Sequence, residues 1–352
     1  MTAKTKKTWR TVRLGDVATL HRGYDLPIEQ MRKGNHPVIF SNGKIERHNE
    51  YKIEGPGVIT GRSGTLGNIF YLSENFWPHN TTLYVSDFHG NDPHFIYYMF
   101  KRLDLAHLNA GSGVPTLNRN HAHEIAVQVP EDTDLQKRIA GMLSAFDEKI
   151  ENNNRIIKTL EEMAQAIFKK RFDTSVENLP EGWEMKNVLE MVKRIPVGKK
   201  YENKTALSAG KVPILDQGQS GYIGFHNDEP GIAASIDEPV VVFTNHTCNY
   251  RLMTRPFSAI QNVLPYIGTN GYPTLFVYYL TKDKIKMQEY KGHWPEFEQQ
   301  QFVAPLPSLA EEFASFVKPM VQKIVEAENE NQKLAAMRDL LLPRLMSGEI
   351  RV

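Results

Sequence analysis

Apolar residues recur in alternating steps of three and four along two long stretches of the chain. In residues 133–172 the positions with this spacing are Leu143, Phe146, Ile150, Asn153, Ile157, Leu160, Ala164 and Ile167. In residues 308–345 they are Val317, Met320, Ile324, Ala327, Asn331, Leu334, Arg338 and Leu341. This spacing places the positions on one face of a helix and is typical of a coiled-coil seam. We therefore predict two long helices, starting with a T-x-x-Q capping box at Thr133 and an S-x-x-E box at Ser308.

Short β-rich runs separated by Gly, Asn and Pro occupy the rest of the chain. Strands are expected at 37–40, 58–60, 68–72, 82–85, 125–129, 212–215, 240–243 and 250–254, and helices at 93–108 and 274–290. The pattern predicts a mixed α/β (α+β) fold. Two globular domains, residues 1–130 and 173–307, are each followed by a long helix, residues 131–172 and 308–352.

The second half of the chain repeats the first. The offset that aligns Trp183 with Trp9 also superposes the two seams. Because the tryptophans fix this offset independently of the heptads, we predict an internal duplication. Antiparallel pairing of the helices would give pseudo-two-fold symmetry, with the polar seam residues Asn153 and Asn331 fixing the register. A helix of about 38 residues spans roughly 57 Å, so the pair would suit two readers of a split DNA site, or a scaffold for two protein ligands.

Composition narrows the class of protein. Among 352 residues, 41% are apolar, which suits a soluble globular chain, and no apolar run has the length of a signal peptide core or a membrane span. The single cysteine, Cys248, excludes an internal disulfide and fits a cytoplasmic location. A formal net charge of +1 makes nucleic-acid binding less expected without excluding a local basic face.

Catalytic motifs are not found in the sequence. The segment from Asn262 to Tyr266 differs from the N-P-P-Y loop of adenine methyltransferases, and no glycine-rich cofactor strand precedes it. Asp147 and Lys149 lie among the heptads of a helix, which is unlike a nuclease site. The i, i+2 pairs at His121 and His246 offer two metal ligands each, too few for a site. We predict neither a catalytic nor a metal site.

Six short motifs occur in a characteristic order. They are VRLGDV at 12–17, GSGVPTLNRN at 111–120, FDEKIENNN at 146–154, LEEMAQAIFKKRF at 160–172, LPEGWE at 179–184 and LLLPRLMSGEI at 340–350. Together they resemble the DNA-specificity (S) subunit of type I restriction-modification enzymes, over essentially the whole chain. The second half departs from the pattern, with NVLEMV at 187–192 in place of LGDV and KGHWPEF at 291–297 in place of the Gly-Ser loop.

The resemblance implies a target recognition domain in each half, reading a bipartite duplex DNA site without catalysis. It also implies partners. Methyltransferase (M) subunits would dock on the helices and carry S-adenosylmethionine chemistry, and motor-nuclease (R) subunits, which use ATP and Mg, would join through the M subunits. No cofactor is expected on this chain itself.

Candidate DNA contacts in the first domain lie on glycine-rich turns and beside them. They are Lys44, Arg47, Arg62, Ser63, Thr65, Ser112, Thr116, Asn118 and Arg119. Arginine is the commonest guanine reader, and hydroxyl and amide groups can contact phosphate. The alternative is an ordinary hairpin turn with a solvated surface.

Candidates in the second domain combine a basic patch with amides and aromatic residues. They are Lys199, Lys200, Tyr201, Lys204, Gln217, Gln219, Asn245, Asn249, Arg251, His293 and Trp294. Asn and Gln can read adenine, and an exposed Trp could wedge between bases. The same residues could equally complete turns or pack on their own domain. The alternative function is a coiled-coil adaptor presenting two protein-interaction domains.

Overall fold

The computed structural model describes residues 9–111, 113–174, 176–218, 221–287, 289 and 291–352. The chain forms two compact units. Unit 1 comprises the residues up to Glu151 together with Asn331–Val352, and unit 2 comprises Asn152–Glu330. In the described ranges, no helix is both long and apolar enough to cross a membrane.

In the part of unit 1 that the structure describes there are nine strands and two short helices. The strands are β1 (Trp9–Arg13), β2 (Thr19–Arg22), β3 (His36–Ile39), β4 (Ile45–His48), β5 (Gly57–Gly61), β6 (Ile69–Leu72), β7 (Trp77–Pro78), β8 (Thr82–Asp87) and β9 (Ala126–Pro130). The helices are α1 (Pro93–Arg102) and α2 (Arg119–His123). The strands form sheets of order β2-β8-β5-β6, β4-β3-β7 and β1-β9.

Two helices of 40 residues each, α3 (Thr133–Phe172) and α6 (Pro307–Met346), contribute one half to each unit. Both helices begin within two residues of the predicted starts, and α3 ends at Phe172 as predicted. Helix α6 remains helical through Pro319 and Pro343 and ends at Met346, six residues before the predicted end at 352. Proline at the start of α6 is compatible with a helix, since its missing N–H would have no partner there.

Unit 2 repeats these elements in the same order. Its strands are β10 (Glu184–Asn187), β11 (Val192–Arg194), β12 (Val212–Leu215), β13 (Tyr222–His226), β14 (Val240–Thr244), β15 (Tyr250–Met253), β16 (Ser258–Ala259), β17 (Val263–Gly268) and β18 (Gln301–Ala304). Its short helices are α4 (Thr274–Thr281) and α5 (Trp294–Glu298).

The sheets of unit 2 have the orders β11-β17-β14-β15, β13-β12-β16 and β10-β18. Each corresponds strand by strand to a sheet of unit 1. The parallel pair β3–β7 even has its counterpart in β12–β16. The sheet topology therefore confirms the duplication that the tryptophans and heptads predict.

The long helices pack together within each unit. In unit 2, Asn153 Nδ2 donates to Glu330 Oε2 at 2.7 Å, and Arg171 Nη1 donates to Glu312 Oε1 at 3.0 Å. Since the first residue numbers rise while their partners' numbers fall, the two helices run antiparallel there. The predicted seam positions are buried or half-buried along both helices.

Both predicted capping boxes are wrong. The Gln136 side chain points into unit 1, where its Nε2 donates to Asn91 Oδ1 at 2.8 Å, and Asp132 accepts from the Asp134 amide instead. At α6 the helix already begins at Pro307, so Ser308 lies inside its first turn.

Candidate nucleic-acid interface

The loops predicted to contact DNA in unit 1 gather at one end of the four-stranded sheet. Strands β2 and β5 both run antiparallel to β8, so they end at the edge where β8 begins. Arg22 is the last residue of β2, Arg62 follows β5, and Asn80 precedes β8. Three strand ends therefore place polar side chains on one surface.

The two glycine-rich segments of unit 1 are joined through their backbones. The Leu117 amide donates to the Arg62 carbonyl at 2.8 Å, and the Gly64 amide donates to the Pro115 carbonyl at 2.9 Å. An isolated antiparallel bridge links Ser63 with Thr116. The structure thus brings together two loops that are far apart in sequence.

Side chains of the second loop hold its shape. Asn109 Oδ1 accepts from the amides of Gly111 and Thr116, at 2.9 and 2.8 Å. A Cβ at Gly111 would lie 2.1 Å from the Val114 carbonyl oxygen, so this close turn requires glycine. Asn118 caps α2 by accepting from the Asn120 amide at 2.9 Å.

Two further predicted residues of these loops lie at the surface of unit 1. Arg119, the first residue of α2, is exposed, as is Thr65. Ser112 lies outside the described residues.

Arg62 anchors the loop cluster. Its Nη1 donates to the Asn80 carbonyl at 3.1 Å, and its side chain is half-buried. Burial lowers the pKa of the Arg62 guanidinium, the charge of Arg22 lowers it further, and Asp25 opposes both. Arg62 therefore combines a structural role with a positive charge close to a second arginine.

Lys44 and Arg47 lie at the surface with carboxylate partners. Lys44 Nζ is 2.7 Å from Glu46, and Arg47 Nη1 is 3.5 Å from Glu74 and also donates to the Asn35 carbonyl. Exposed pairs of this kind contribute little to stability. Their charges are partly neutralised, which weakens the expectation that they contact phosphate.

The basic segment of unit 2 is similarly matched by carboxylates. Lys199 Nζ lies 2.7 Å from Asp228, and Lys204 Nζ lies 2.9 Å from Glu202. The hydrogen bond that Lys199 donates to the Asp228 carboxylate raises the pKa of Lys199. Lys200 is exposed next to them.

Tyr201 is buried in unit 2. Its ring stacks on His226 with centroids 4.2 Å apart, and its hydroxyl donates to Asp228 at 3.1 Å. This tyrosine therefore holds Asp228, the partner of Lys199, and its buried ring is not available to stack on a base.

The amide candidates of unit 2 bond to neighbouring protein groups. Gln217 Oε1 accepts from the His246 amide at 3.0 Å. Asn249 Nδ2 donates to the Gln217 carbonyl at 3.3 Å, and Asn245 Oδ1 accepts from the Trp294 amide at 2.9 Å. These contacts complete turns, as in the alternative interpretation. Gln219 lies outside the described residues.

Arg251 closes the loop between β12 and β13. Its guanidinium donates to the carbonyls of Asp216, Gly218 and Gly221. Burial lowers the pKa of Arg251, and the charge of Asp216 opposes that effect. Its hydrogen-bonding fork is engaged inside the unit, so it acts as an anchor, as Arg62 does in unit 1.

His293 and Trp294 are buried, unlike the exposed wedge that the sequence suggests. His293 Nδ1 lies 2.8 Å from Glu296, and Trp294 Nε1 donates to Glu298 at 2.6 Å. The Trp294 ring also stacks on Phe297. Neither side chain can reach a base without a rearrangement of α5.

Two arginines that the sequence analysis does not single out end equivalent strands. Arg22 ends β2, where its Nη2 is 3.2 Å from Asp25 Oδ1. Arg194 ends β11, the counterpart of β2, and lies over the Trp294 ring at 5.5 Å. Each is the last residue of its strand, but the registers differ: Arg22 pairs with Leu83, the second residue of β8, and Arg194 pairs with Tyr266, the fourth residue of β17.

Among the described residues, His, Cys, Asp and Glu nowhere form a group of three that could hold a metal ion. The carboxylates at the loop-bearing surfaces pair with lysine or arginine, as described above.

The chain is similar to proteins of one family. Residues 6–162 match the type I restriction modification DNA specificity domain. The MjaIX type I restriction enzyme specificity subunit of Methanocaldococcus jannaschii is 25% identical over 300 residues, which are 73% of this chain and 69% of that protein. A putative type I specificity subunit of Mycoplasma genitalium is 24% identical over 200 residues, 56% of this chain and 51% of that protein.

The crystal structure of a type I restriction-modification S subunit from M. genitalium has the same fold. It superposes with a TM-score of 0.65 at 18% identity, and covers 98% of both chains. The sequence matches and the shared fold lead to one conclusion. The chain belongs to the type I restriction-modification specificity (S) subunits, a non-catalytic family, and is the DNA specificity subunit of such a system.

Proposed function

We propose that this subunit reads a split duplex DNA site, with one half-site contacted by the loop-bearing end of each unit. This is the end of the four-stranded sheet at which β5 ends and β8 begins in unit 1, and at which β14 ends and β17 begins in unit 2. The supporting observation is that both units build this end with the same backbone hydrogen bonds. In unit 1 the Arg62 amide donates to the Thr81 carbonyl, and the Arg62 carbonyl accepts from Leu117. In unit 2 the Asn245 amide donates to Asn262, and the Asn245 carbonyl accepts from His293.

Equivalent frames with different side chains suit two related readers of different sequences. The residue that follows β5 in unit 1 is Arg62, and the residue that follows the equivalent strand β14 in unit 2 is Asn245. Direct base readout depends on the side-chain donors and acceptors that a surface presents. The two half-sites are therefore expected to differ in sequence, which makes the whole site asymmetric.

We also propose that the long helices dock two methyltransferase (M) subunits. Among the exposed large apolar side chains of these helices, four form a related set: Met142 at 42%, Met163 at 46%, Phe316 at 48% and Met337 at 52%. Each immediately precedes a seam position, so all four share one heptad position. The offset between the two repeats relates Met142 to Phe316 and Met163 to Met337.

Each unit therefore has one pair from this set, Met142 with Met337 in unit 1 and Phe316 with Met163 in unit 2. Two equivalent surfaces suit two copies of one partner, since the same partner face can bind both. The M subunits would then bind and use S-adenosylmethionine, and motor-nuclease (R) subunits, bound through the M subunits, would use ATP and Mg.

Selection from a random duplex pool tests the DNA proposal. The full chain, assembled with its M partner, should enrich two short motifs separated by a fixed gap of unselected bases. Enrichment of one continuous motif, or of none, would contradict it. Affinity for the selected duplex should fall steeply with salt because phosphate contacts release counterions, whereas an adaptor of purely protein ligands would not retain duplex DNA.

A further inference from the structure

The loop-bearing end of unit 1 contains an arginine that is held in place but still accessible. Arg22 ends β2 with 48% of its side chain exposed, and its Nη2 lies 3.2 Å from Asp25 Oδ1. The same carboxylate oxygen accepts from Asn80 Nδ2. Asp25 therefore fixes one edge of the guanidinium while the rest faces solvent.

The charges around Arg22 are not balanced. The positive charge of Arg22 is close enough to lower the pKa of Arg62. The negative charge of Asp25 acts on Arg62 in the opposite direction. Arg62 uses its Nη1 for the Asn80 carbonyl. Arg22 is thus the arginine of this pair whose fork remains available for a ligand with hydrogen-bond acceptors.

Unit 2 has an arginine at the end of the corresponding strand, though at a different position along its ladder. Arg194 is the last residue of β11 and is exposed. It lies over the ring of Trp294 with its guanidinium carbon 5.5 Å from the centroid. In unit 1 a carboxylate orients the arginine, and in unit 2 an aromatic ring does so.

We propose that Arg22 reads a guanine in the half-site of unit 1, that Asp25 positions it, and that Arg194 is its counterpart for the other half-site. The proposal rests on the proposed function. A guanidinium has five N–H donors, so those left free by Asp25 can still form the bidentate contact to guanine O6 and N7.

A carboxylate beside Arg22 argues for a base edge over a phosphate. Asp25 would repel a phosphate brought to the same guanidinium, because both are anions within a few ångströms. The major-groove edge of guanine is neutral, so the carboxylate can orient the arginine without opposing the ligand. Arg194 has the same role with a ring beneath it, since guanidinium groups stack on aromatic faces.

The test replaces single guanines in the selected half-site. One probe carries 7-deazaguanine, which lacks the N7 acceptor, and a matched probe carries hypoxanthine, which retains O6 and N7. For the full chain with its M partner, we expect 7-deazaguanine at one position to weaken binding about tenfold, and hypoxanthine there to have a much smaller effect.

Variants assign the effect to residues. Arg22→Ala should bind more weakly and no longer distinguish guanine from 7-deazaguanine at that position. Arg194→Ala should keep this discrimination and lose the discrimination between guanine and 7-deazaguanine at one position of the other half-site. Arg22→Lys keeps the charge but not the planar fork, so it should also lose discrimination. Asp25→Asn should reduce discrimination while leaving the slope of affinity against salt unchanged.

Other results would overturn the proposal. A half-site without guanine, or undiminished discrimination in Arg22→Lys and Arg22→Ala, would do so. A uniform loss of affinity over all sequences, with a salt slope smaller by about one, would indicate a phosphate contact instead. Failure of the wild-type complex to retain any duplex would reject the proposed function itself, a separate result.

Discussion

Tyr98 of α1 donates a 2.6 Å hydrogen bond to Asp147 of α3. The second oxygen of the Asp147 carboxylate accepts from Arg338 of α6. One carboxylate thus joins the globular part of unit 1 to both long helices. At the repeat-equivalent positions, unit 2 has Val321 and Ala164, both buried in its apolar core.

Removing this carboxylate should destabilise unit 1. Asp147→Ala removes the acceptor of the Tyr98 hydroxyl and one of the two carboxylate partners of Arg338, which keeps Asp339. We expect this loss in a largely buried place to lower the free energy of unfolding by about 2 kcal/mol. Urea unfolding measures it. The double change Asp147→Val with Arg338→Ala copies unit 2 and should recover much of the loss; equal stability of Asp147→Ala and wild type would refute this role.

Stability should also depend on the protonation of His123. Its Nε2 accepts from the Leu20 amide at 2.9 Å. Burial lowers the pKa of His123 below its ordinary value of 6.5, and Arg119 lowers it further, with Glu124 opposing. As pH falls below 6.5, the unfolded chain takes up the proton first, so the free energy of unfolding decreases until the folded-state pKa is reached.

The variant His123→Gln retains an acceptor for Leu20 but cannot be protonated. Its free energy of unfolding should change less than that of wild type between about pH 7.5 and about pH 5.5. Some dependence should remain, because burial also lowers the pKa of His79 and His94. Identical pH profiles of variant and wild type would rule out a contribution from His123.

Charges placed on one exposed apolar pair should remove one docked partner. Met142→Lys with Met337→Lys is expected to reduce the number of M subunits bound per chain from two to one, because each lysine must be desolvated in the interface. Native mass spectrometry of the assembled complex measures the ratio. Leucine at both positions is the control and should leave it at two; two partners on the lysine variant would argue against this surface.

The length of the helix pair should set the gap between half-sites. Asn153 bonds to Glu330, so Ile157 is level with Glu326 in the antiparallel pair. One heptad inserted after both Ile157 and Glu326 keeps the seam and adds about 10 Å of helix. We expect duplex selection to return the same half-sites with a gap longer by about three base pairs. An unchanged gap would remove the spacer role.

Arg62→Ala should affect one half-site only. The change frees the Asn80 carbonyl, so the turn before β8 loses its anchor. We expect duplex selection to return a degenerate first half-site beside an intact second one. Arg251→Ala, which removes the anchor of the loop between β12 and β13 in unit 2, should give the reverse; degeneration of both half-sites in either variant would contradict independent reading.

The helical frame follows from sequence because periodicity persists over the whole length of α3 and α6, whereas strands with internal irregularities are missed. Gly224 interrupts β13 with a positive φ of 152°. Pro265 lies in β17, between β11 and β14, where a proline argues against a strand. The helix predicted over 274–290 ends at Thr281 because Asp283 adopts a left-handed conformation with φ 61°.

The candidate contacts are harder to predict than the frame. Glycine-rich composition singles out two loops of unit 1, but it does not show that they touch. Side chains such as Asn249 and Trp294 look available in sequence, and tertiary contacts occupy them. Arg22 carries no local signal at all, since its importance arises from three strand ends meeting at one edge.

That meeting of strand ends has an evolutionary consequence. Arg22, Arg62 and Asn80 lie where the ladders of β2, β5 and β8 end or begin, so exchanging their side chains breaks no ladder hydrogen bond. Under the proposed readout, exchanging Arg22 can change the target at little cost in folding energy, whereas exchanging Arg62 also removes the anchor of the turn before β8. Selection for a changed target and selection for a stable chain are therefore expected to act separately on Arg22 and together on Arg62.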